Sequence, residues 1–448
     1  MTTAATASEA PWSLYHWSEI DADSRRRILE RSTRQIFDLS LRADVEKIVA
    51  DVRQHGDVAV SRALAQFDHC EVAPGDLAVA PDEIAQAGTR LPESLKAAIR
   101  FGMENMRRFN ERQMAEREWR QEIAPGVVVG ERLTPIDRVG LFIPSGKASY
   151  PSVLMQMGTP AVVAGVPEVA VVVPPVPGGD GELDSAVLFV AHELGISRVF
   201  RANGVAGIAA LAFGTETFPR VRMVVGPGSP AVTAAQVIVQ LYGTKTNMLM
   251  GPSESLIIAD EHANAEWLAS DLLNEAEHGP DSASLLVTAS RELVQNLEGI
   301  TTRRLAELPE PRQAWARSAL TRFGGVILVD DLDEAVSVAN EYAPEHMIVD
   351  VAAPDAVVPR LTAVGEILIG PWSPISAANF AIGVPAALPT GGYAKLSGGI
   401  TARSFTKATS IAQLNETGLE SMRQCVLELA RHEGFPAHAA SFLARQGD

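Results

Sequence analysis

The chain has 448 residues, of which 46% are hydrophobic and 21% are charged, a composition typical of a globular protein and not of a disordered one. Its 55 acidic and 38 basic residues leave a formal charge of −17, and a surface of that sign repels nucleic acid. The length exceeds one ordinary core, so two or more domains are predicted. Two distant cysteines, Cys70 and Cys425, exclude a disulfide framework and a thiolate zinc site.

Neither a secretory signal nor a membrane span is predicted. Residues 1–11 are small and polar and lack the apolar region of a signal peptide. The most apolar stretch, from Thr159 to Val176, is interrupted by Glu168 and by several prolines, so it is not expected to cross a membrane. A cytoplasmic protein is therefore expected.

Residues from about Trp17 to Gln113 are predicted to be helical, because apolar Val45, Ile48, Val49 and Val52 recur at helical spacing. From about residue 127 the pattern changes, and short β-branched runs alternate with Ala-rich helical segments. Predicted strands lie at 127–129, 139–143, 169–173, 221–225 and 256–258, and predicted helices lie at 152–164, 185–194, 206–213 and 232–241.

The alternation then returns. Further strands are predicted at 284–287, 326–329, 348–351 and 367–369, with helices beginning at 291 and 332, and residues 414–445 are predicted to be helical. Strand–helix alternation is typical of parallel sheets covered by helices on both faces. The chain is therefore predicted to be an α/β protein with two doubly wound modules and helical appendages at its amino and carboxyl ends.

A first candidate for chemistry is the pair Glu275 and His278, at the end of a predicted helix. At a spacing of three residues both side chains meet on one helix face, a geometry used for metal ligation by a carboxylate and an imidazole. The alternative is that His278 caps the helix, where an imidazolium is favoured by the dipole and Gly279-Pro280 ends the helix.

A second pair, Glu345 and His346, follows Pro344 and precedes a predicted strand. Neighbouring side chains on a strand point to opposite faces, so cooperation requires the irregular turn that proline supplies. Placed in such a turn, His346 could carry a substrate proton and Glu345 could activate water. The alternative is an exposed turn pair.

Three weaker signals accompany these pairs. Glu433 and His438 lie in the carboxyl-terminal appendage, where they are either ligands for another subunit or solvated helix residues. The turn at 225–229 precedes a helix, as a phosphate-binding turn would, but it is not GxGxxG. The turn at 251–254 offers Ser253 as a polar contact, whereas no GxSxG elbow supports a nucleophilic serine.

Together, these stretches resemble the histidinol dehydrogenase family. The resemblance covers most of the chain in a consistent order, and its matching segments are 208–216 (IAALAFGTE), 225–228 (VGPG), 251–254 (GPSE), 276–282 (AEHGPDS), 344–346 (PEH) and 372–374 (WSP). The two carboxylate–imidazole pairs, the two turns and the tail residues, each a weak signal in isolation, are thereby interpreted as parts of one active site.

The resemblance implies two incomplete Rossmann-like modules in an intertwined homodimer. The predicted domains are an amino-terminal arm over 1–37, a first Rossmann-like domain with the catalytic pair over 38–141 and 255–400, a second over 142–254, and a dimerisation tail over 401–448. The tail is expected to complete the partner's site.

The resemblance also implies a reaction, the oxidation of a primary alcohol through an aldehyde to a carboxylate with two NAD. His346 would carry the proton in the hydride steps, and Glu345 would activate water for the second oxidation. The implied zinc ligands, which also bind the substrate, are Glu275, His278, Asn379 and His438. The further substrate contacts that the resemblance implies are Ser253, His346 and Glu433.

The sequence departs from the family at several of these positions. Glu275 stands where the family has Gln, and Asn379 where it has Asp, so the amide and the carboxylate are exchanged. A histidine that the family places near the substrate is replaced within Pro385-Ala386. The family's nucleotide-binding Tyr, Gln and Asn fall on Phe142, Ala206 and Ser229, and losing three such partners could cost about a kcal/mol each.

These departures leave alternatives open. The main hypothesis is an NAD-dependent, zinc-assisted dehydrogenase, for which histidinol is the best single named substrate. A paralogue for another small polar alcohol, such as a sulfopropanediol, is one alternative. A non-redox small-molecule-binding protein on the same scaffold is the other.

Overall fold

The computed structural model describes residues 10–31, 38–145, 148–176 and 179–445. Its strands are β1 (Leu14–His16), β2 (Glu118–Ala124), β3 (Val127–Pro135), β4 (Arg138–Phe142), β5 (Glu168–Val173), β6 (Arg198–Arg201), β7 (Met223–Val225), β8 (Glu254–Ala259), β9 (Ala283–Thr288), β10 (Gly325–Leu328), β11 (His346–Asp350), β12 (Glu366–Ile369) and β13 (Thr406–Leu414).

The α-helices are α1 (Ala22–Glu30), α2 (Leu39–Ala63), α3 (Pro81–Gln86), α4 (Glu93–Gln113), α5 (Pro151–Ala164), α6 (Ser185–Glu193), α7 (Gly204–Phe213), α8 (Pro230–Gln240), α9 (Ala265–Ala276), α10 (Arg291–Glu307), α11 (Arg312–Ser318), α12 (Leu332–Tyr342), α13 (Pro354–Val357), α14 (Ile375–Ala377), α15 (Glu416–Ser421), α16 (Arg423–His432) and α17 (Pro436–Leu443). Within the described residues, none of the helices is long and apolar enough to cross a bilayer.

One module contains a six-stranded parallel sheet in the order β1-β10-β9-β8-β11-β12. Alternate residues of its central strand β8 pack into two different cores, Ile257 on one face and Leu256 and Ile258 on the other. Burial on both faces explains why such strands are continuous apolar runs in the sequence.

The other module contains a four-stranded parallel sheet in the order β6-β5-β4-β7. From β4 the chain moves outward to β5 and β6 and then returns to place β7 on the other side of β4. The strand order therefore reverses between β4 and β7. In open α/β sheets the crevice at the carboxyl ends of such a pair is the usual ligand site.

The predicted α/β class with two parallel modules is confirmed, but residues 127–129 belong to a different kind of sheet. They begin β3, which pairs antiparallel with β2 and β13. Gly126, with φ of 73°, forms the tight turn that returns the chain directly from β2. A parallel pairing would need a long crossover in place of this turn. Strand β2 carried no predictive signal, since all seven of its residues are exposed.

The packing also differs from the predicted domain boundaries. Helix α2 packs against α7 and α8, and α4 packs against α5, so both cover the module of the four-stranded sheet. The prediction grouped these helices with the other module. Strand β4 runs across the predicted boundary at 141/142, and β1, from the predicted arm, forms the edge of the six-stranded sheet. Apolar faces of the helices decide these positions, as with Val45 and Val49, which belong to the same buried core as Ala206 and Ala209.

Candidate active site

A cavity of about 1030 Å³ lies between the two modules. It is bounded by the amino ends of β8 and β11 in the six-stranded sheet and by the carboxyl ends of β4 and β7 in the other. Seven of the predicted site residues line it: Ser229, Ser253, Glu275, His278, Glu345, His346 and Asn379. Residues from distant parts of the sequence therefore meet in one place.

The pair Glu345 and His346 lies where helix α12 turns into strand β11. Ala343, in the left-handed conformation with φ of 55°, ends the helix, and Pro344 leads into the strand. Glu345 is 8% exposed and His346 is 2% exposed. The alternative of an exposed turn pair is therefore wrong, and the irregular turn predicted from Pro344 is present.

Each member of the pair is held by a hydrogen bond. The backbone N–H of Glu254 donates to Glu345 Oε2 over 2.9 Å. His346 Nδ1 lies 2.7 Å from Glu366 Oε2, and its Nε2 lies 3.9 Å from Glu345 Oε1. The ring is thus fixed on one side, while its other nitrogen is near Glu345 at the cavity wall.

Burial and neighbouring charges shift the pKa values of both groups. Burial raises the pKa of Glu345 well above its usual value, and the nearby Glu275 carboxylate adds to this effect. Burial alone would lower the pKa of His346, but the hydrogen bond to Glu366 and the charges of Glu345 and Glu275 raise it to about 9. Both groups therefore hold a proton more tightly than usual, so each must lose that proton before it can act as an acceptor.

Glu275 and its neighbours form the candidate metal site. Glu275, in the last turn of α9, is 1% exposed, and its Oε1 accepts hydrogen bonds from Asn274 Nδ2 at 2.8 Å and Asn379 Nδ2 at 3.1 Å. His278, in the turn after the helix, places Nε2 3.6 Å from Glu275 Oε2. Carboxylate and imidazole thus face one another, as the spacing of three residues predicted.

The charge state of Glu275 suits a metal ligand. Burial acts to raise its pKa, but His278, His346 and the two amide donors outweigh burial, and the pKa lies below the usual value. A ligating atom from each of Glu275, Glu345 and His346 lies within 4.8 Å of the others. A carboxylate oxygen and an imidazole nitrogen are preferred zinc ligands, and a half-turn of the Asn379 amide would present its oxygen as a weaker one. The donor set therefore fits a divalent ion.

Four predicted site residues lie elsewhere. Phe142 and Ala206 are 3% and 0% exposed, in the core between the four-stranded sheet and its helices, and neither lines the cavity. As placed, they offer no surface to a nucleotide, so only Ser229 of the three predicted contacts reaches the cavity. Glu433 and His438 are exposed in the tail and do not line the cavity of their own chain.

The sequence reasoning missed three buried residues behind the pair Glu345 and His346. Glu366 holds His346, and Glu254 pairs with Arg31, whose Nε lies 3.3 Å from Glu254 Oε1. Arg31 also donates to the Tyr342 carbonyl and stacks on the Tyr342 ring at 3.4 Å from its centroid. A charged residue at the first position of a mostly apolar strand, as in β8 and β12, is the sequence signal that could have indicated Glu254 and Glu366.

Comparisons with known proteins identify the family of the chain. The family model for histidinol dehydrogenase matches residues 31–446. A histidinol dehydrogenase homolog of Mesorhizobium japonicum is 37% identical over 428 residues, which cover 95% of this chain and 96% of that protein. A histidinol dehydrogenase of Methanosarcina mazei is 38% identical over 407 residues, covering 90% and 91%.

A solved structure shows the same fold. The crystal structure of histidinol dehydrogenase from Elizabethkingia anophelis superposes with a TM-score of 0.91 at 30% identity, covering 98% of this chain and 99% of that one. The match extends over both modules and the tail. The chain belongs to the histidinol dehydrogenase family, whose members are oxidoreductases that use NAD and zinc.

Proposed function

We propose that this protein catalyses the NAD-dependent, zinc-assisted oxidation of a small primary alcohol, with an amino alcohol as the leading class, through the aldehyde to the carboxylate. The observation that carries the proposal is the buried pair Glu345 and His346 at the cavity wall, beside Glu275 and His278. A proton acceptor next to a cation site is what alcohol oxidation requires, because the hydroxyl must lose its proton as hydride leaves the carbon.

In this reaction the residues of the chain move protons. His346 Nε2 accepts the hydroxyl proton in the hydride steps. Glu345 accepts a proton from water, which adds to the aldehyde before the second oxidation. NAD supplies the oxidant and accepts the hydride. Burial raises the pKa of Glu345, so in its ionised form this carboxylate is a stronger proton acceptor than an ordinary one.

The proposed zinc ligands are Glu275, His278 and Asn379, with His438 from a second copy of the chain. When bound, zinc would act as a Lewis acid that binds and orients the substrate's polar groups. Ser253, at the amino end of β8, and Glu433, from the second copy, are the further proposed substrate contacts. The exposed apolar side chains of the tail, Leu429 and Phe435 among them, support a tail that packs against another subunit.

The proposed NAD site is the crevice between β4 and β7. There the strand order reverses, and the segments that follow the two strands, at 144–145 and 227–229, line the cavity. Helix α8 begins directly after Ser229, so its amino terminus faces this crevice and favours a pyrophosphate. The nucleotide would therefore be bound by backbone groups and Ser229 more than by the side chains at 142 and 206.

One observation favours a substrate other than histidinol. Ala386, where the family resemblance places a histidine, lines the cavity together with Ala387 and Leu388. An imidazole or another polar group on the substrate would find no hydrogen-bonding side chain at these positions. A paralogue that oxidises a different small alcohol is the second candidate function.

The test is titration with NAD followed by an activity screen. The zinc-supplemented protein is expected to bind NAD below millimolar concentration and to reduce it with at least one member of a panel of histidinol, other amino alcohols and diols, including sulfopropanediol. Binding of panel members without NAD binding or reduction would instead support the non-redox binding protein. Histidinol as the best substrate would contradict the paralogue.

The metal site gives a second prediction. Glu275 is the only carboxylate among the proposed zinc ligands of this chain, so Glu275→Gln is expected to weaken zinc binding. Adding Asn379→Asp should recover much of the loss, because it restores one negative charge with the amide and the carboxylate exchanged. Zinc affinities of the two single variants and the double variant, measured by competition with a chelator, give the coupling energy. Additive effects in this cycle would contradict the exchanged-ligand site.

A further inference from the structure

Glu366 lies directly behind the proposed proton carrier. It is the first residue of β12, and the parallel pairing of β11 with β12 places it opposite His346. The two side chains are 5% and 3% exposed, and Glu366 Oε2 lies 2.7 Å from His346 Nδ1. His346 lines the cavity, whereas Glu366 does not. Glu366 therefore touches the base and not the substrate.

The backbone around Glu366 holds the catalytic turn as well. Its N–H donates to the Glu345 carbonyl at 3.1 Å, and the N–H of Gly365 donates to the Pro344 carbonyl at 3.0 Å. A Cβ at position 365 would lie 2.5 Å from the Glu345 carbonyl oxygen, so this close approach depends on glycine. The start of β12 is thus fixed against the turn, and the Glu366 carboxylate has a defined position relative to the imidazole.

A buried carboxylate is costly unless it is paired, and Glu366 is only partly paired. Within the described residues its Oε1 has no hydrogen-bond partner, so the contact of Oε2 with His346 is the polar interaction that the side chain makes. A neutral residue would fill this position at lower cost. The position of this carboxylate beside the His346 ring points to a role in the proton chemistry of the ring.

We propose that Glu366 is a positioning residue that keeps the proton on His346 Nδ1 and aims Nε2 at the hydroxyl of the substrate. The inference rests on the proposed function. With Nδ1–H donated to Glu366, the lone pair lies on Nε2. In the oxidation the O–H proton passes to Nε2, the C–H bond breaks with hydride passing to NAD, and the carbonyl forms. The imidazolium that results is then stabilised by the carboxylate behind it.

Two substitutions separate the charge of Glu366 from its shape. Glu366→Gln keeps the shape but loses the charge, and its amide can also donate to Nδ1 and select the wrong ring form. Glu366→Asp keeps the charge with a side chain one methylene shorter. We expect kcat to fall ~10²-fold in the glutamine variant with KM changed by less than about threefold, and to fall less in the aspartate variant. If Glu366 only supported the structure, the glutamine variant, which keeps the shape, would retain a higher kcat than the aspartate variant.

Ser284→Ala is the matched control. It removes a buried hydrogen bond in the same sheet, between Ser284 and Ser255 at 2.9 Å, without touching His346, and is expected to leave kcat unchanged. All assays use the zinc-supplemented protein, NAD and histidinol or the best alcohol of the screen. Thermal unfolding checks that each variant is folded.

A spectroscopic readout makes the test independent of activity. With ¹⁵N-labelled histidine, the wild type is expected to show a slowly exchanging, downfield Nδ1–H resonance that disappears in His346→Ala. It should move upfield in Glu366→Gln and remain in Glu366→Asp. If the resonance and kcat are both unchanged in Glu366→Gln, the inference is overturned. An inactive wild type that still shows this resonance would refute the proposed function and leave the hydrogen bond established.

Discussion

Replacing His346 with alanine is expected to lower the rate of alcohol oxidation by ~10²–10⁴-fold, the usual effect of losing a general base. His346 is the imidazole at the cavity wall, and its Nε2 is the nitrogen left free by the contact with Glu366. The measurement is single-turnover NADH formation with the best substrate of the screen. NAD affinity should be nearly unchanged, because the proposed nucleotide crevice lies at the other module.

One variant serves as the control for this result. His262→Ala removes an exposed histidine at the opposite, carboxyl edge of the same sheet, and full activity is expected.

Glu345→Gln should slow the oxidation of added aldehyde more than the first, alcohol step, because only the second oxidation needs activated water. Equal loss of both steps in Glu345→Gln would refute this division of labour, and an active His346→Ala would refute the assignment of the base.

The second large effect is expected from mixing two inactive chains. If the tail of one chain completes the site of the other, a heterodimer of a His438→Ala chain and a His346→Ala chain contains one intact site. Heterodimers isolated with two affinity tags should then show about half of the wild-type activity, since one of two symmetric sites is restored. Homodimers of either variant should be inactive.

The matched control is His432→Ala, which changes another exposed histidine of the tail and is expected to keep full activity as a homodimer. Heterodimers that form but remain inactive would show that the two histidines do not meet across an interface. A His438→Ala homodimer with normal zinc content and activity would remove His438 from the proposed site altogether.

Local sequence patterns were sufficient for the class of fold and for part of the site. Runs such as 169–173 predicted buried parallel strands, because β-branched residues flanked by helical segments have few other stable arrangements. Glu275 and His278 were found because a spacing of three residues brings side chains together at a helix end whatever the rest of the chain does. Pro344 likewise indicated the irregular turn at which Glu345 and His346 lie.

Longer-range arrangements depended on tertiary structure. The family resemblance placed Phe142 and Ala206 at the nucleotide site, but the packing of α7 against the four-stranded sheet and of α2 against α7 buries both. Nothing in the local sequence says which helices cover which sheet, so the predicted boundary at 141/142 also cut strand β4.

The sequence by itself determined an α/β chain with two carboxylate–imidazole pairs, since these follow from periodicity and short spacing. Only the tertiary structure brought the pairs into one cavity and set Glu366 against His346, twenty positions away along the chain. That contact depends on the register of β11 with β12, which is decided by the burial of both strands in a common sheet and not by any local preference.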